Sequence, residues 1–231
     1  PEGAEPDLDA CVRAIADRAA GNPGAEAGTY LAQLPCERDL ACLVLADLSL
    51  STDAWVTDHA RVIDVVKDTL SLFAEALSAT GDAFALYGFS SLKRGNVRMH
   101  QLKKFGDKYN GATRARIAAL KPGYYTRLGA AIRYATRQLE EQPAQVRLLL
   151  ILTDGKPNDT DHYEGRYGIE DTRVSILEAR RKGLRPFCVT IDREGEAYLP
   201  HLFGPGGFTV IRRPEELPLR LPRLYAQLTQ R

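Results

Sequence analysis

Two carboxylates and two hydroxyls stand where a hard cation could be held. The run Asp47-Leu48-Ser49-Leu50-Ser51 directly follows the continuous apolar segment Leu40 to Ala46. Asp154, with the turn-forming Gly155 behind it, closes a second apolar segment, Arg147 to Leu152. Alternation along an extended chain sends Asp47, Ser49 and Ser51 to one side and both leucines to the other. One carboxylate and two hydroxyls then converge, and Asp154 adds a second carboxylate at the same height. Hard oxygen donors from separate loops suit Mg²⁺, which prefers octahedral geometry at about 2.0–2.1 Å. The loop residues 47–51 and 154–155 include no His or Cys, the donors that zinc or copper would favour. The competing reading makes Asp47 a cap of the following helix and leaves the serines to solvate a loop.

Such convergence needs a sheet whose strands end together, and the hydropathy pattern predicts one. Leu40 to Ala46 is a continuous apolar run of strand length, expected to be buried on both faces. His59 to Ala79 reads as a long amphipathic helix, with Val62, Val65, Val66, Leu70, Phe73 and Leu77 on one side. Further strands are expected at Ala83 to Phe89, Arg147 to Leu152, Leu184 to Ile191 and Phe208 to Ile211. Asn96 to Leu102 alternates and suits an edge strand. Helices are expected within Gly106 to Leu120 and at Arg127 to Glu141, 170 to 182 and Pro214 to Leu228. Strands alternating with helices argue an α/β domain, a mostly parallel sheet covered on both faces, over residues 39–231. Residues 1–38 read as an N-terminal extension with a short helix at Asp7 to Ala19 and a loop from Gly21 to Gly28. In such sheets ligands bind beyond the C-terminal strand ends, where strand order reverses.

Composition bounds the function. The 231 residues are 44% hydrophobic and 26% charged, values of a globular domain that exclude disordered, collagen-like and disulfide-scaffold classes. Lys and Arg number 31 against 30 Asp and Glu, a net charge of +1, so neither a nucleic-acid surface nor a polybasic membrane anchor is indicated. The longest apolar run falls far short of the roughly 20 residues that a membrane span needs, and no signal peptide is expected. Cys11, Cys36, Cys42 and Cys188 are scattered, and Cys42 and Cys188 lie inside strand patterns. Buried reduced thiols and a cytoplasmic location are therefore expected. With Pro at position 1 and Met99 the only methionine, the chain is expected to be a piece of something longer. Neither G-x-x-x-x-G-K-[ST] nor G-x-G-x-x-G occurs, so nucleotide binding by this domain has no support.

Three separated segments carry a resemblance. DLSLS at 47–51, Pro122-Gly123-Tyr124-Tyr125-Thr126 opening a helix, and Leu152-Thr153-Asp154-Gly155 closing a strand resemble a von Willebrand factor A domain with its metal-ion-dependent adhesion site. The resemblance covers about residues 38–231. It implies a Rossmann-like three-layer fold with one antiparallel edge strand. It also implies that Ser49, Ser51 and Thr126 give hydroxyl ligands to Mg²⁺ or another divalent cation. Asp47 and Asp154 would hold the ion directly or through water. When mostly neutral groups touch the ion, its charge is poorly quenched, and an open position can accept a carboxylate from another protein.

A narrower resemblance lies in the C-terminal half. Thr153 to Thr172 (TDGKPNDTDHYEGRYGIEDT), Phe187 to Asp192, Tyr198 to Gly204 and Leu221 to Tyr225 are similar to the C-terminal domain of the NorD and CbbO family. That resemblance implies a non-catalytic adaptor working beside a MoxR-type AAA+ ATPase of the NorQ or CbbQ kind. The implied target is nitric oxide reductase or rubisco. The loop Gly155 to Asp171 is long for a compact domain, which favours partner recognition through Lys156, Asp159, His162, Tyr163 and Arg166. Tyr125, beside Tyr124, could rim the same surface or pack under it. The competing class is a metal-dependent hydrolase on the same fold. A haloacid-dehalogenase-type phosphatase would carry a second Asp where this chain has Ser49, and no general base is evident beyond His100 and His162.

Overall fold

A computed structural model describes residues 5–6, 30–31, 39–192 and 194–229. The chain divides into two compact units, Pro1–Arg38 and Asp39–Arg231. Within the first, β1 (Glu5–Pro6) pairs antiparallel with β2 (Tyr30–Leu31). The helix expected at 7–19, the loop at 21–28, Cys11 and Cys36 lie outside the described residues.

The second unit is built on β3 (Leu40–Asp47), which is buried along its whole length. A hairpin of β4 (Trp55–Thr57) and β5 (Ala60–Arg61) leads into helix α1 (Val62–Thr80). Strands β6 (Ala83–Ser91) and β7 (Val97–Lys103) form an antiparallel pair. Then follow α2 (Gly111–Ala118), α3 (Leu128–Glu140), β8 (Val146–Thr153), α4 (Gly165–Arg181), β9 (Leu184–Thr190), α5 (Leu199–Phe203), β10 (Phe208–Val210) and α6 (Leu217–Thr229). The six-stranded sheet runs β10-β9-β8-β3-β6-β7, and only β7 is antiparallel to its neighbour. This is a mixed α/β fold with one antiparallel edge strand, as expected.

Alternation along β3 divides the core. Cys42, Val44, Ala46 and Leu48 face one side with Phe73 of α1 and Leu221 of α6. Ala41, Leu43 and Leu45 face the other with Ile132 of α3 and Ile176 of α4. Burial on both faces explains why β3 and β8 read as unbroken apolar runs. Cys42 and Cys188 are buried and free, with burial pushing both thiols up from their ordinary range.

Several boundaries differ from expectation. The first long helix begins at Val62 rather than His59, because residues 55–61 form the hairpin and the Arg61 N–H bonds to Asp64 as its cap. Helix α4 begins at Gly165 rather than 170, so the loop before it is shorter than its sequence suggests. Glycines at 165 and 168, poor helix formers, disguise that first turn.

Strand order turns at β3. The chain leaves it for β6 on one side and returns to β8 on the other, which places the crevice beyond the ends of β3 and β8. Register aligns Ala46 with Leu152, so Asp47 stands level with Thr153 and one residue before Asp154.

Candidate metal centre

Asp47 ends β3 and is buried. Its Oδ1 accepts the Ser49 N–H at 2.8 Å, and its Oδ2 accepts the Thr153 hydroxyl at 3.0 Å. The Thr126 Oγ1 lies 3.5 Å from Oδ1. The Ser49 and Ser51 hydroxyls meet at 2.9 Å. These groups therefore converge, but not by extended-chain alternation alone. Leu48 is buried as expected, whereas Leu50 is 60% exposed. The reason is a 3₁₀ turn over Leu50–Asp53, closed by the Thr52 N–H and hydroxyl on the Ser49 carbonyl at 3.0 and 2.7 Å. That turn brings Ser51 back beside Ser49 and turns Leu50 outward.

Thr126 is delivered by two backbone bridges. Tyr125 and Ser91 exchange bonds at 2.8 Å in both directions, and Thr126 and Asn158 do so at 2.8 and 3.0 Å. Two residues before Thr126, Tyr124 has φ 66°, a conformation uncommon outside glycine, with the Arg98 guanidinium 4.4 Å from its ring centre.

The electrostatics call for positive charge. Burial, and then the nearby Asp154 charge, push Asp47 up from its ordinary value to about 7, against the pull of the Ser49 and Thr153 bonds. Asp154 is likewise raised, first by burial, with a Ser51 hydroxyl bond opposing and the Asp192 charge adding. One oxygen of Asp154, Oδ1, is buried without any hydrogen-bond partner. The ammonium of Lys156, on the same cleft, is bonded to Glu194 at 2.8 Å. Among the described residues no group of three or more His, Cys, Asp or Glu could hold a metal. The donors here are two carboxylates and neutral hydroxyls, a set whose hardness and orphaned oxygen fit a small divalent cation. Ser49, Ser51, Thr126 and Asp154 line an open cleft of about 400 Å³, rimmed by Leu50, Tyr124, Tyr125 and Glu194, and Asp47 is held to it through its bond to the Ser49 N–H.

Sequence reasoning missed Thr153, which orients Asp47, and Asp192, which follows β9 and lines the same cleft. Both sit at C-terminal strand ends, the signal that could have found them. The loop after β8 divides in two. Lys156, His162 and Arg166 are exposed, while the Tyr125 side chain is half-buried. Asp159 and Tyr163, expected at the partner surface, are instead buried at 2% and 1% exposure. The Tyr163 hydroxyl accepts the Gly129 N–H at 3.2 Å and donates to Asp171 at 2.6 Å, tying the loop to α3 and α4. Both side chains hold the loop rather than present it.

The chain belongs to the von Willebrand factor type A domain family, whose model matches residues 44–211. A von Willebrand factor type A structure from Catenulispora acidiphila superposes with a TM-score of 0.59 over 82% of this chain and 42% of that one, at 18% identity. Two curated relatives carry the name Protein NorD. The one from Stutzerimonas stutzeri is 57% identical over 94% of this chain and 35% of its own length. The one from Brucella melitensis is 49% identical over 98% of this chain and 36% of its own length. The chain thus spans about a third of the relatives it matches.

Proposed function

We propose that this domain is a Mg²⁺-dependent protein-binding adaptor that grips an acidic side chain of a target enzyme. The observation that carries it is the buried, unpartnered Oδ1 of Asp154 on the open cleft that Ser49, Ser51 and Thr126 also line, with the Asp47 carboxylate bonded to Ser49 and Thr153. Asp47, Asp154, Ser49, Ser51 and Thr126 would hold the ion. Bound Mg²⁺ would supply an under-neutralised positive centre for an incoming carboxylate. The chain's own groups preset that centre: Thr153 and the Ser49 N–H orient Asp47, and the 3₁₀ turn sets the two serines side by side.

The named relatives support a NorD-like accessory role. On that reading the domain serves a MoxR-type AAA+ ATPase in the cytoplasm, which acts on nitric oxide reductase. On the CbbO-like alternative the target is rubisco, engaged through the same residues of this chain. Among the described residues no helix is long and apolar enough to cross a membrane. A hydrolytic role would need a base beside the ion, and neither His100 nor His162 lines the cleft.

Titration calorimetry of Mg²⁺ into the metal-stripped chain tests the site. The wild type is expected to bind and Asp47→Ala to fail while keeping the same circular dichroism. Equal binding by both would remove Asp47 from the site.

A further inference from the structure

Three loops meet beside the cleft, and each contains a residue other than glycine in the left-handed region: Lys93 (φ 62°), Tyr124 (φ 66°) and His162 (φ 63°). Conformations of this kind persist only where surrounding contacts hold them. Asp159 supplies one such contact, to Lys93, and ties together the segments around it. Its Oδ2 accepts the Ser91 hydroxyl at 2.8 Å and the Arg127 Nε–H at 3.3 Å. Its Oδ1 accepts the N–H groups of Lys93 and Thr160, both at 2.8 Å. Burial alone would raise this carboxyl, but the Lys93, Ser91 and Thr160 bonds and the Arg127 charge together hold it below its ordinary value. Arg127 is almost fully buried. It bonds to Asp161 with its other arm, and its guanidinium lies 4.1 Å from the Tyr163 ring centre.

Arg127 is the residue after Thr126, and Asp159 is the residue after Asn158, the backbone partner of Thr126. The Ser91 hydroxyl that donates to Asp159 also accepts the Arg127 N–H at 3.0 Å. The bridges on either side of Thr126 are thus fastened by one carboxylate.

We infer that Asp159 and Arg127 are positioning residues, which set the Thr126 hydroxyl at the metal centre and couple the loop after β8 to it. The inference rests on the metal reading above. Asp159 and Arg127 do not touch the cleft; they act through the Thr126 backbone. Coupling of this kind is reciprocal, so the factor by which a partner on the exposed part of the loop changes cation affinity is the factor by which the cation changes the affinity for that partner.

The test is calorimetric Mg²⁺ affinity of the 231-residue chain for wild type, Asp159→Asn, Thr126→Ala and the double variant. Asp159→Asn retains size but in either orientation sets its amide hydrogens against N–H donors, those of Lys93 and Thr160 on one side or that of Arg127 on the other. Its affinity should fall by about 10- to 100-fold, the range for residues that orient metal ligands. On the Thr126→Ala background the same change should cost little more, because the hydroxyl it positions is gone. A merely structural residue would weaken both backgrounds equally. Arg127→Lys, which keeps the charge but loses the fork, is measured in parallel in case Asp159→Asn does not fold. Wild-type binding with undiminished affinity in Asp159→Asn or Arg127→Lys, or full additivity with Thr126→Ala, overturns this inference alone. Failure of the wild type to bind Mg²⁺ overturns the metal reading and this inference with it.

Discussion

Asp47 does two things that oppose each other. It must be ionised to hold a cation, yet its burial and the facing Asp154 favour its neutral form. The sign follows from linkage. With a folded value near 7 against an ordinary value of 3.8, the folded chain keeps a proton that the unfolded chain releases. Stability from that proton is full below the ordinary value and is lost as pH rises through about 7. The metal-free chain should therefore show a urea midpoint that falls between about pH 4 and 7 and levels off above, and saturating Mg²⁺ should abolish the fall. Asp47→Asn should fall less steeply without metal, the remaining fall coming from Asp154, which burial also raises. A metal-free wild type that is flat or rises over this window would show that the carboxylate pair is already neutralised by something else. The identity of this residue was legible in sequence because it ends an apolar run. The role of Thr153 was not, since it depends on the register of β3 against a strand about a hundred residues away.

Helices α3 and α4 cross where Gly129 leaves room for the Asp171 carboxylate and the Tyr163 hydroxyl. A Cβ at position 129 would overlap that carboxylate, which is also bonded to Arg133 at 2.8 Å. Gly129→Ala should therefore destabilise the chain by roughly 1–3 kcal/mol, the usual range for overpacking, read as a lower urea midpoint at unchanged m-value. An unchanged midpoint would mean that Asp171 can swing away freely and that its bonds contribute little. Elements of this kind were legible wherever burial imposes a period. Strands β3 and β8 announced themselves as apolar runs, and α1 as a stripe. In the loop after β8 the burial of Asp159 and Tyr163 was not legible, because the polar composition around them reads as surface. Asp159 finds Ser91 across 68 residues and Tyr163 finds Gly129 across 34, contacts that no local pattern encodes.

At the scale of the whole molecule, one pole of the sheet gathers the cleft, its rim and the exposed part of the loop. The sequence located that pole from two strand ends, while the rim of Leu50 and Tyr124 became visible only once the 3₁₀ turn and the strained backbone at 124 were in place. Division of labour follows from burial. Asp159, Tyr163 and Arg127 lie inside, whereas His162 and Arg166 are exposed. The paired change His162→Ala with Arg166→Ala should therefore leave Mg²⁺ affinity within about twofold, since surface substitutions usually stay within 0.5 kcal/mol. If the loop touches the target, the same variant should retain less nitric oxide reductase, or rubisco, in a pull-down with the matching AAA+ ATPase. Arg is enriched among residues that dominate interfaces, so the loss should exceed that of a neutral surface change such as Lys108→Ala, on a different part of the fold. Full retention with intact metal binding would confine recognition to the cation and its rim. A fall in metal affinity would instead show that the loop's outer residues, like its buried ones, hold the Thr126 bridge in place.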